Sequence, residues 1–359
     1  MGAEDWPGVV RRGFVFDDAP FASCHAATLV EADDGGIVAS FFAGFREGAL
    51  DVAVWSARYV DGRWEDLVRV ADGIQADGTP LPCWNPVLFR MSGTAGVLWL
   101  FYKVGPSPSR WWGMVSRSSD NGRTWSRGEK LPGGILGPAK NKPVELRGGR
   151  VVSPCSVELP NEGRWRVYFE LSDDVGRTWH ATGPVSQPAQ IPRAVQPTLL
   201  VHGPQTLQAL CRTTVGRLCE SWSTDAGMHW SPLRLTDLPN CNSGVDGVTL
   251  AARTEGGARH LLVYNHSNLE KVRYPLTVAA TADGIAWQAA AVLENEPPGQ
   301  YSYPAVIQSR DARVHVAYTW KRRRIAHVIL DPERLTLRSM DSFRCPPPGS
   351  ATHRSDEFQ

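Results

Sequence analysis

The chain lacks the features that mark several classes of protein. Its 359 residues carry a formal net charge of +1, so no excess of charge points to nucleic acid or to a charged membrane surface. No apolar run approaches the roughly 18 residues that a membrane-spanning helix needs. The seven cysteines form no C-x-x-C pair and their number is odd, which favours free thiols in a reducing compartment and argues against zinc. We therefore expect no nucleic-acid partner, no membrane association, no metal and no cofactor.

The N-terminal stretch MGAEDWPGVVRR lacks the apolar centre of a signal peptide, so we expect a cytoplasmic protein. The one dense basic cluster, residues 321–324, lies within an alternating strand pattern. It fits a solvated rim or part of an anion-binding pocket better than a nucleic-acid patch. The sequence does not indicate an oligomeric state.

Tryptophan, in contrast, is abundant, with 14 copies, and several share one context. The template S-x-D-x-G-x-T-W fits residues 118–125 and 172–179, and residues 223–230 with His in place of Thr. A copy one residue short covers residues 281–287, and a degenerate copy covers residues 56–64. In such a turn the aspartate bonds to the backbone, the glycine takes a positive φ, and the tryptophan packs beneath. These boxes predict a structural role, with each tryptophan buried.

A second pattern lies upstream of the boxes, where an apolar run starts with a polar residue followed by Pro, Ala or Gly. It occurs six times, in SCHAATLV, CWNPVLF, KNKPVEL, VQPTLL, GVDGVTL and YSYPAVIQ. The polar residues are His25, Asn85, Lys142, Gln196, Asp246 and Tyr303. Strand ends capped by polar groups are one interpretation; six equivalent starts around a shared polar site are the one we favour. A second ring is predicted where the next strands end, at Arg46, Lys103, Glu158, Arg212, Asn265 and Tyr318.

Both patterns repeat every 50 to 61 residues, which is typical of a β-propeller. We therefore predict an all-β fold, a single six-bladed β-propeller with Asp-box turns and almost no helix, over residues 1–345. Residues 346–359 are expected to form a flexible tail. The residues before about Ser23 should supply an outer strand that closes the last blade, because an open ring would leave a bare sheet edge.

The boxes resemble the Asp-box, or BNR, repeats of the sialidase superfamily. Three near-complete copies are a specific sign of that fold and a weak sign of function, because Asp boxes occur in propellers of other activity. The resemblance assigns CRTTVGRLCE to a segment that carries a carboxylate-binding arginine, here Arg212, and RYPLTVAA to another, here Arg273. It assigns YSYPAV to the segment of the tyrosine nucleophile, Tyr303, and REGALDVAVW to that of the acid/base aspartate, Asp51. Two arginines that bind a carboxylate, with a tyrosine and a proton-shuttling aspartate beside them, form a coherent site.

Two positions depart from the sialidase pattern. His25 stands where the resemblance calls for a third arginine, and Gln196 stands where it calls for the glutamate that activates the tyrosine. Both changes affect parts that a retaining sialidase uses. Stretches such as ILGPAKNKP and NSGVDGV resemble a branch of sialidase-like propellers related to enzymes that remove rhamnose from glucuronate, as lyases or as hydrolases.

The resemblance implies an enzyme that cleaves a terminal sugar from an acidic oligosaccharide, with a rhamnosyl-α-1,4-glucuronate lyase as the first expectation. An exo-α-sialidase and a non-catalytic glycan-binding propeller remain open alternatives. For the lyase, His25 or Tyr303 would be the base, and Asp51, Lys142 or the remaining tyrosine the acid. The expected catalytic residues are His25, Asp51, Gln196 and Tyr303. The expected substrate-binding residues are Arg46, Asn85, Lys103, Lys142, Arg212, Asp246 and Arg273.

Overall fold

The computed structural model describes residues 6–343, which form six antiparallel sheets and almost no helix. The helical elements in this range are the 3₁₀ turns Pro160–Glu162, Pro332–Arg334 and Met340–Ser342. No helix between residues 6 and 343 is long and apolar enough to cross a membrane. The predicted tail, residues 346–359, and the outermost residues of the predicted domain lie outside the described range, so those boundaries stay predictions.

The strands follow the chain in order and fill the blades one after another. Blade 1 is built from β2 (Ser23–Glu31), β3 (Ile37–Gly44), β4 (Ala53–Val60), β5 (Arg63–Trp64) and β6 (Val68–Ala71). Blade 2 is built from β7 (Cys83–Arg90), β8 (Leu98–Val104), β9 (Trp112–Ser118) and β10 (Glu129–Lys130). Blade 3 is built from β11 (Val144–Glu145), β12 (Val151–Leu159), β13 (Arg164–Ser172) and β14 (His180–Ala181). Blade 4 is built from β15 (Ala194–Val201), β16 (Leu207–Thr213), β17 (Arg217–Ser223) and β18 (Arg234–Pro239). Blade 5 is built from β19 (Asp246–Thr249), β20 (His260–Asn265), β21 (Leu276–Thr281) and β22 (Trp287–Glu294). Blade 6 contains β23 (Tyr301–Gln308), β24 (Val314–Trp320), β25 (Arg324–Leu330) and, at its outer edge, β1 (Val9–Phe14). The prediction of six blades is confirmed.

The ring closes as predicted, because β1 pairs antiparallel with β25 and places Phe14 opposite Ala326. Blade 6 thus combines one strand from near the N-terminus with three strands from near the C-terminus. This pairing covers an edge of β25 that would otherwise expose its backbone N–H and C=O groups.

The core lies between neighbouring blades. All eight residues of β3 are buried, which explains why its sequence, IVASFFAG, is nearly continuous in apolar and small residues rather than alternating. The outermost strands are different, and β1 is mostly exposed. Packing of one blade's inner strands against the next therefore supplies the apolar burial of the fold.

The Asp boxes join each blade to the one before it. In the second box, Asp174 accepts hydrogen bonds from the Thr178 backbone N–H at 2.8 Å and from the Thr178 hydroxyl at 2.7 Å. The box tryptophan, Trp179, packs edge-on against Phe101 of blade 2 with ring centroids 6.2 Å apart. Trp230 of the third box stacks on Phe169 of blade 3 at 3.8 Å. The structural interpretation of the boxes fits these contacts.

The expected full burial of the box tryptophans is wrong. Trp125, Trp179 and Trp230 are all half-buried, because each ring lies over the boundary between two blades at the outer surface and covers it on one side only.

Candidate functional site

A shared irregularity in the innermost strands builds the site. The pairing of β2, β7, β15 and β23 with their neighbours shifts register at the same place, and one residue there has a positive φ. These residues are Ala26 (57°), Asn85 (39°), Gln196 (57°) and Tyr303 (53°). A β-bulge adds one residue to a strand and redirects a side chain, and non-glycine residues in the left-handed region are strained. Strain repeated in four blades at one level marks this end of the axis as the site.

The bulges correct one prediction. Ala26, not His25, is the residue of blade 1 that is equivalent to Asn85, Gln196 and Tyr303. His25 lies one residue earlier. The pattern was ambiguous in this blade because Ala27 replaces the proline that marks the position in the other three bulges.

Tyr303 lies among three basic side chains. The guanidinium carbons of Arg212 and Arg273 are 5.6 and 5.8 Å from the centroid of its ring, and the amine of Lys140 is 5.8 Å from it. The ring is 8% exposed. Cations over an aromatic face are attracted by its electron density, and this attraction strengthens where water is excluded. We call this set, with His25 and Gln196, the axial site.

Arg212 and Arg273 are available to bind an anion. Arg212 donates one hydrogen bond to the backbone oxygen of Asn242 at 2.9 Å, and its Nε is buried without a partner. Arg273 donates to the Ser302 hydroxyl at 3.3 Å. Neither forms an ion pair with any carboxylate in residues 6–343. Burial lowers the pKa of Arg273, and the charges of Arg322 and Arg212 act in the same direction. A bound carboxylate would offset this uncompensated positive charge.

His25 contributes no positive charge near neutral pH. Its ring is 4.2 Å from the Tyr303 ring between centroids, and its Nδ1 is 2.8 Å from the Thr319 hydroxyl. Burial lowers the pKa of His25 well below its usual range, and the surrounding cations lower it further. A neutral imidazole therefore occupies the place that the resemblance gave to an arginine.

Gln196 contacts the phenol oxygen of Tyr303 through its amide. Its Nε2 lies 3.5 Å from that oxygen, while its Oε1 is buried without a hydrogen-bond partner in the described chain. An amide has no proton-accepting carboxylate, so the tyrosine has a donor beside it and no base at this position.

The sequence analysis did not identify the axial role of Lys140. Residues 139–142, which we call the axial segment, lie near the axis and precede β11. In blade 3 the innermost strand is only the two residues of β11. The Lys140 amine is buried and donates to Asn141 Oδ1 at 2.8 Å, to the Val245 carbonyl at 3.0 Å and to the Pro304 carbonyl. Three acceptors match the three N–H bonds of an ammonium group. Pro304 follows Tyr303 directly, so Lys140 helps to hold the strained tyrosine in place.

The rest of the axial segment links other blades. Asn85 of blade 2 donates to the Ala139 carbonyl at 3.0 Å, which gives this predicted binding residue a structural contact. Asn141 donates to the carbonyls of Gln196 and Pro197 of blade 4, both at 3.0 Å. The repeated pattern marked Lys142 in this segment but not Lys140, two residues earlier, which explains why periodicity did not reveal the axial amine.

Lys142 and Asp246 bind one another, so their positions do not fit the predicted substrate-binding roles. The amine of Lys142 is 2.9 Å from Asp246 Oδ2, which also accepts the Val306 N–H at 2.8 Å. Oδ1 accepts the Thr198 hydroxyl at 2.8 Å. The buried carboxylate thereby connects blades 4, 5 and 6. Asp246, the polar residue at the start of β19, therefore joins blades rather than lining the axial site.

Lys103 lies away from the axial site. It is 0% exposed, and its amine donates to the Pro138 carbonyl beside the buried carboxylate of Glu170. Burial lowers the pKa of Lys103 to about 8. Its strand ends near the axis as predicted, but the side chain points into the boundary between blades 2 and 3 and does not reach solvent.

The loop after β3 borders the site. Arg46 and Asp51 are exposed on it, and Asp51 Oδ2 accepts the Phe45 N–H at 2.7 Å. The next residue, Val52, packs in one cluster with Tyr303. Arg322, from the basic run of residues 321–324, forms an ion pair with Glu47 of this loop and adds positive charge near His25 and Arg273. No group of three or more His, Cys, Asp or Glu side chains that is suited to a metal ion occurs in the described part of the chain.

Comparison with protein-family models matches residues 35–316 to the BNR repeat-like domain. The chain belongs to the BNR repeat-like domain family. A search of curated proteins found no match for this family member.

Solved structures share the propeller of this BNR repeat-like chain. The NanB sialidase of Streptococcus pneumoniae superimposes with a TM-score of 0.72 and 12% identity, over 92% of this chain and 71% of the sialidase. A protein of unknown function from Dyadobacter fermentans gives 0.70 and 16%, over 90% and 99% of the two chains. The intramolecular trans-sialidase of Ruminococcus gnavus gives 0.66 and 13%, over 96% and 100%. At these identities the likeness concerns the fold.

Proposed function

We propose that this BNR repeat-like propeller is an enzyme that cleaves a terminal sugar from a glycan bearing a carboxylate. The observation that carries the proposal is the pair Arg212 and Arg273. Two guanidinium groups that form no ion pair with a carboxylate of residues 6–343 flank a strained tyrosine at the end of a propeller axis. Guanidinium groups bind carboxylates through two parallel hydrogen bonds, which fixes the orientation of the sugar as well as its charge.

The most specific form of the proposal is a rhamnosyl-α-1,4-glucuronate lyase. Arg212 and Arg273 would neutralise the uronate carboxylate, which acidifies the proton on C5. Tyr303 would remove that proton; the C5–H electrons form the C4–C5 double bond while the bond from C4 to the leaving oxygen breaks. Asp51, exposed at the border of the site, would return a proton to the departing oxygen. Gln196 supports elimination because this reaction needs no activated nucleophile.

An exo-α-sialidase is the second candidate. The arrangement of Arg212, Arg273 and Tyr303 favours it, and so does the likeness of the fold to sialidases. The neutral His25 and the amide of Gln196 disfavour it. His25 leaves the carboxylate clamp, by which we mean Arg212 and Arg273, without a third cation, and Gln196 leaves the tyrosine without its base. A glycan-binding propeller without activity is the third candidate.

The test uses a panel of glycans that end in rhamnosyl-glucuronate or in sialic acid, with products identified by mass. A terminal sugar released without water, together with ultraviolet absorbance from an unsaturated uronate, is the expected result. Release with water would indicate hydrolysis, and binding without any product would favour the third candidate.

The role of the arginines is tested separately. Arg212→Lys and Arg273→Lys should each lower kcat/KM by about one to two decades, because loss of a charge-assisted pair costs roughly 1.5–3 kcal/mol. The same glycan reduced at its carboxyl group is the control substrate. If both variants discriminate between the two glycans as well as the unsubstituted protein does, the arginines do not bind the carboxylate.

A further inference from the structure

A groove opens beside the axial site, between blades 2 and 3. Its volume is about 580 Å³. One wall is formed by Trp111, which precedes β9, and Trp112, the first residue of β9; the other is the end of β12, which carries Glu158. The floor is residues 130–136, which include Leu131, Ile135 and Leu136. Because successive strands run in opposite directions, the ends of β8 and β12 lie on the face where β7 and β23 begin, which is the face of Tyr303.

Two chains of contacts connect the groove to the axial site. On one side, rings touch in sequence from the axis outwards: His25 to Phe42 at 5.7 Å, Phe42 to Trp84 at 6.2 Å, and Trp84 to Trp111 at 6.0 Å, all between centroids.

On the other side, Glu158 pairs across the strands with Trp165, and the guanidinium carbon of Arg212 lies 5.8 Å from the Trp165 ring. The groove therefore ends one tryptophan ring away from Arg212, which would hold the carboxylate.

The lining of the groove suits the ring of a neutral sugar. Trp111 and Trp112 are half-buried, and because the Lys130 amine lies 5.0 Å from the Trp112 ring centroid, Trp111 is the ring left to contact a ligand beside the apolar floor. A sugar ring presents a C–H face that packs on such a surface, while its hydroxyls need a few polar groups for orientation. Glu158, also half-buried, supplies carboxylate oxygens at the end of the groove nearest to Arg212.

We infer that this groove binds the neutral sugar ring that is attached to the acidic sugar. The C–H face of that ring, and the methyl group of a deoxy sugar such as rhamnose, pack on Trp111 and the apolar floor, and a hydroxyl bonds to Glu158. The inference rests on the proposed function and adds to it the recognition of a second ring. The protein would then bind both rings of a disaccharide unit.

The test is calorimetric titration of Tyr303→Phe, which keeps the aromatic ring and prevents turnover during the measurement. The probes are methyl glucuronide and the disaccharide that carries rhamnose on O4 of the same glucuronide. The disaccharide should bind about tenfold more tightly, which corresponds to about 1.4 kcal/mol, because an aromatic contact adds affinity beyond the area that it buries. Trp111→Ala should remove most of that difference and leave the affinity for methyl glucuronide unchanged.

Two further variants keep the test decisive. Trp222→Ala removes a half-buried tryptophan from β17, away from the groove, and should preserve the difference between the probes. Glu158→Gln should reduce the difference without removing a ring, which covers the case in which Trp111→Ala fails to fold.

The outcomes separate the two proposals. Equal affinity for both probes would overturn the inference about the groove. So would a difference in affinity that Trp111→Ala and Glu158→Gln leave undiminished. Either result would leave the carboxylate-binding role of Arg212 and Arg273 unaffected. Binding of neither probe would overturn the proposed function and this inference together.

Discussion

Replacement of Lys140 by methionine tests how the buried amine of the axial segment responds to pH. Burial lowers the pKa of Lys140 to about 7 from its usual 10.5, and the charges of Lys142 and Arg212 also lower it, while Asp246 raises it. In the unfolded chain the amine returns to water and regains its usual pKa. Between about pH 7 and pH 10 the unfolded chain therefore binds a proton that the folded chain does not.

The sign and size of the effect follow from that difference. Unfolding free energy rises with pH wherever the unfolded state binds more protons, by about 1.4 kcal/mol per pH unit for one group. The free energy of unfolding of the unsubstituted protein, minus that of Lys140→Met, should therefore increase by about 2–3 kcal/mol from pH 7 to pH 9. Below pH 7 both states hold the proton and the difference should be flat.

The assay is urea unfolding at a series of pH values, for the unsubstituted protein, Lys140→Met and the control Lys130→Met. Lys130 is exposed on β10, so its replacement removes a lysine from the surface and serves as the matched control. If the Lys140→Met difference is as flat as the control, the amine keeps its proton in the folded state through that range, and the reasoning from burial is refuted.

Three further substitutions are informative. Trp179→Ala should cost about 1.5–3 kcal/mol in urea unfolding, less than the roughly 3–5 kcal/mol of a fully buried ring, because Trp179 is half-buried; unchanged stability with lost turnover would contradict the structural role of the box. Gln196→Glu should not produce efficient hydrolysis of an aryl sialoside, because His25 stays neutral, whereas strong hydrolysis by the unsubstituted protein would favour the sialidase. Asp246→Asn should destabilise the fold by about 3–5 kcal/mol, measured by denaturant unfolding, since it removes one charge of a buried pair; a melting curve identical to that of the unsubstituted protein would show that the blade-joining role is wrong.

The sequence predicted the fold well because the fold is periodic. One turn motif and one strand-start motif, repeated at similar intervals, identify the six blades, and the bare edge of an open ring predicts the closing strand. Tyr303, Arg212 and Gln196 were expected near the axis from the same repeats, and Arg273 from the resemblance alone; the structure brings all four together.

The remaining site residues escaped prediction for physical reasons. A pattern locates where a strand starts, but it does not say whether the first side chain points into the axis or pairs with a neighbour, as Asp246 and Lys142 do. Lys140 lies two residues before Lys142, the residue that the repeat marked, so the pattern located the segment but not its axial amine, and Arg322 was visible only as part of a basic run. In blade 1 the missing proline at Ala27 concealed the bulge, so His25 was assigned a position that Ala26 occupies.

The mixed origin of blade 6 has a consequence for how the protein acquires its site. Tyr303 lies on β23, in the blade whose outermost strand, β1, precedes all the other strands in the chain. Until β25 is available, β1 has no strand to pair with. Its backbone N–H and C=O groups then form an unpaired edge. The pairing of Phe14 with Ala326 then closes a loop that spans nearly the whole chain, and contacts of such sequence separation form slowly. The blade that carries Tyr303 is therefore complete only when this long-range pairing has formed.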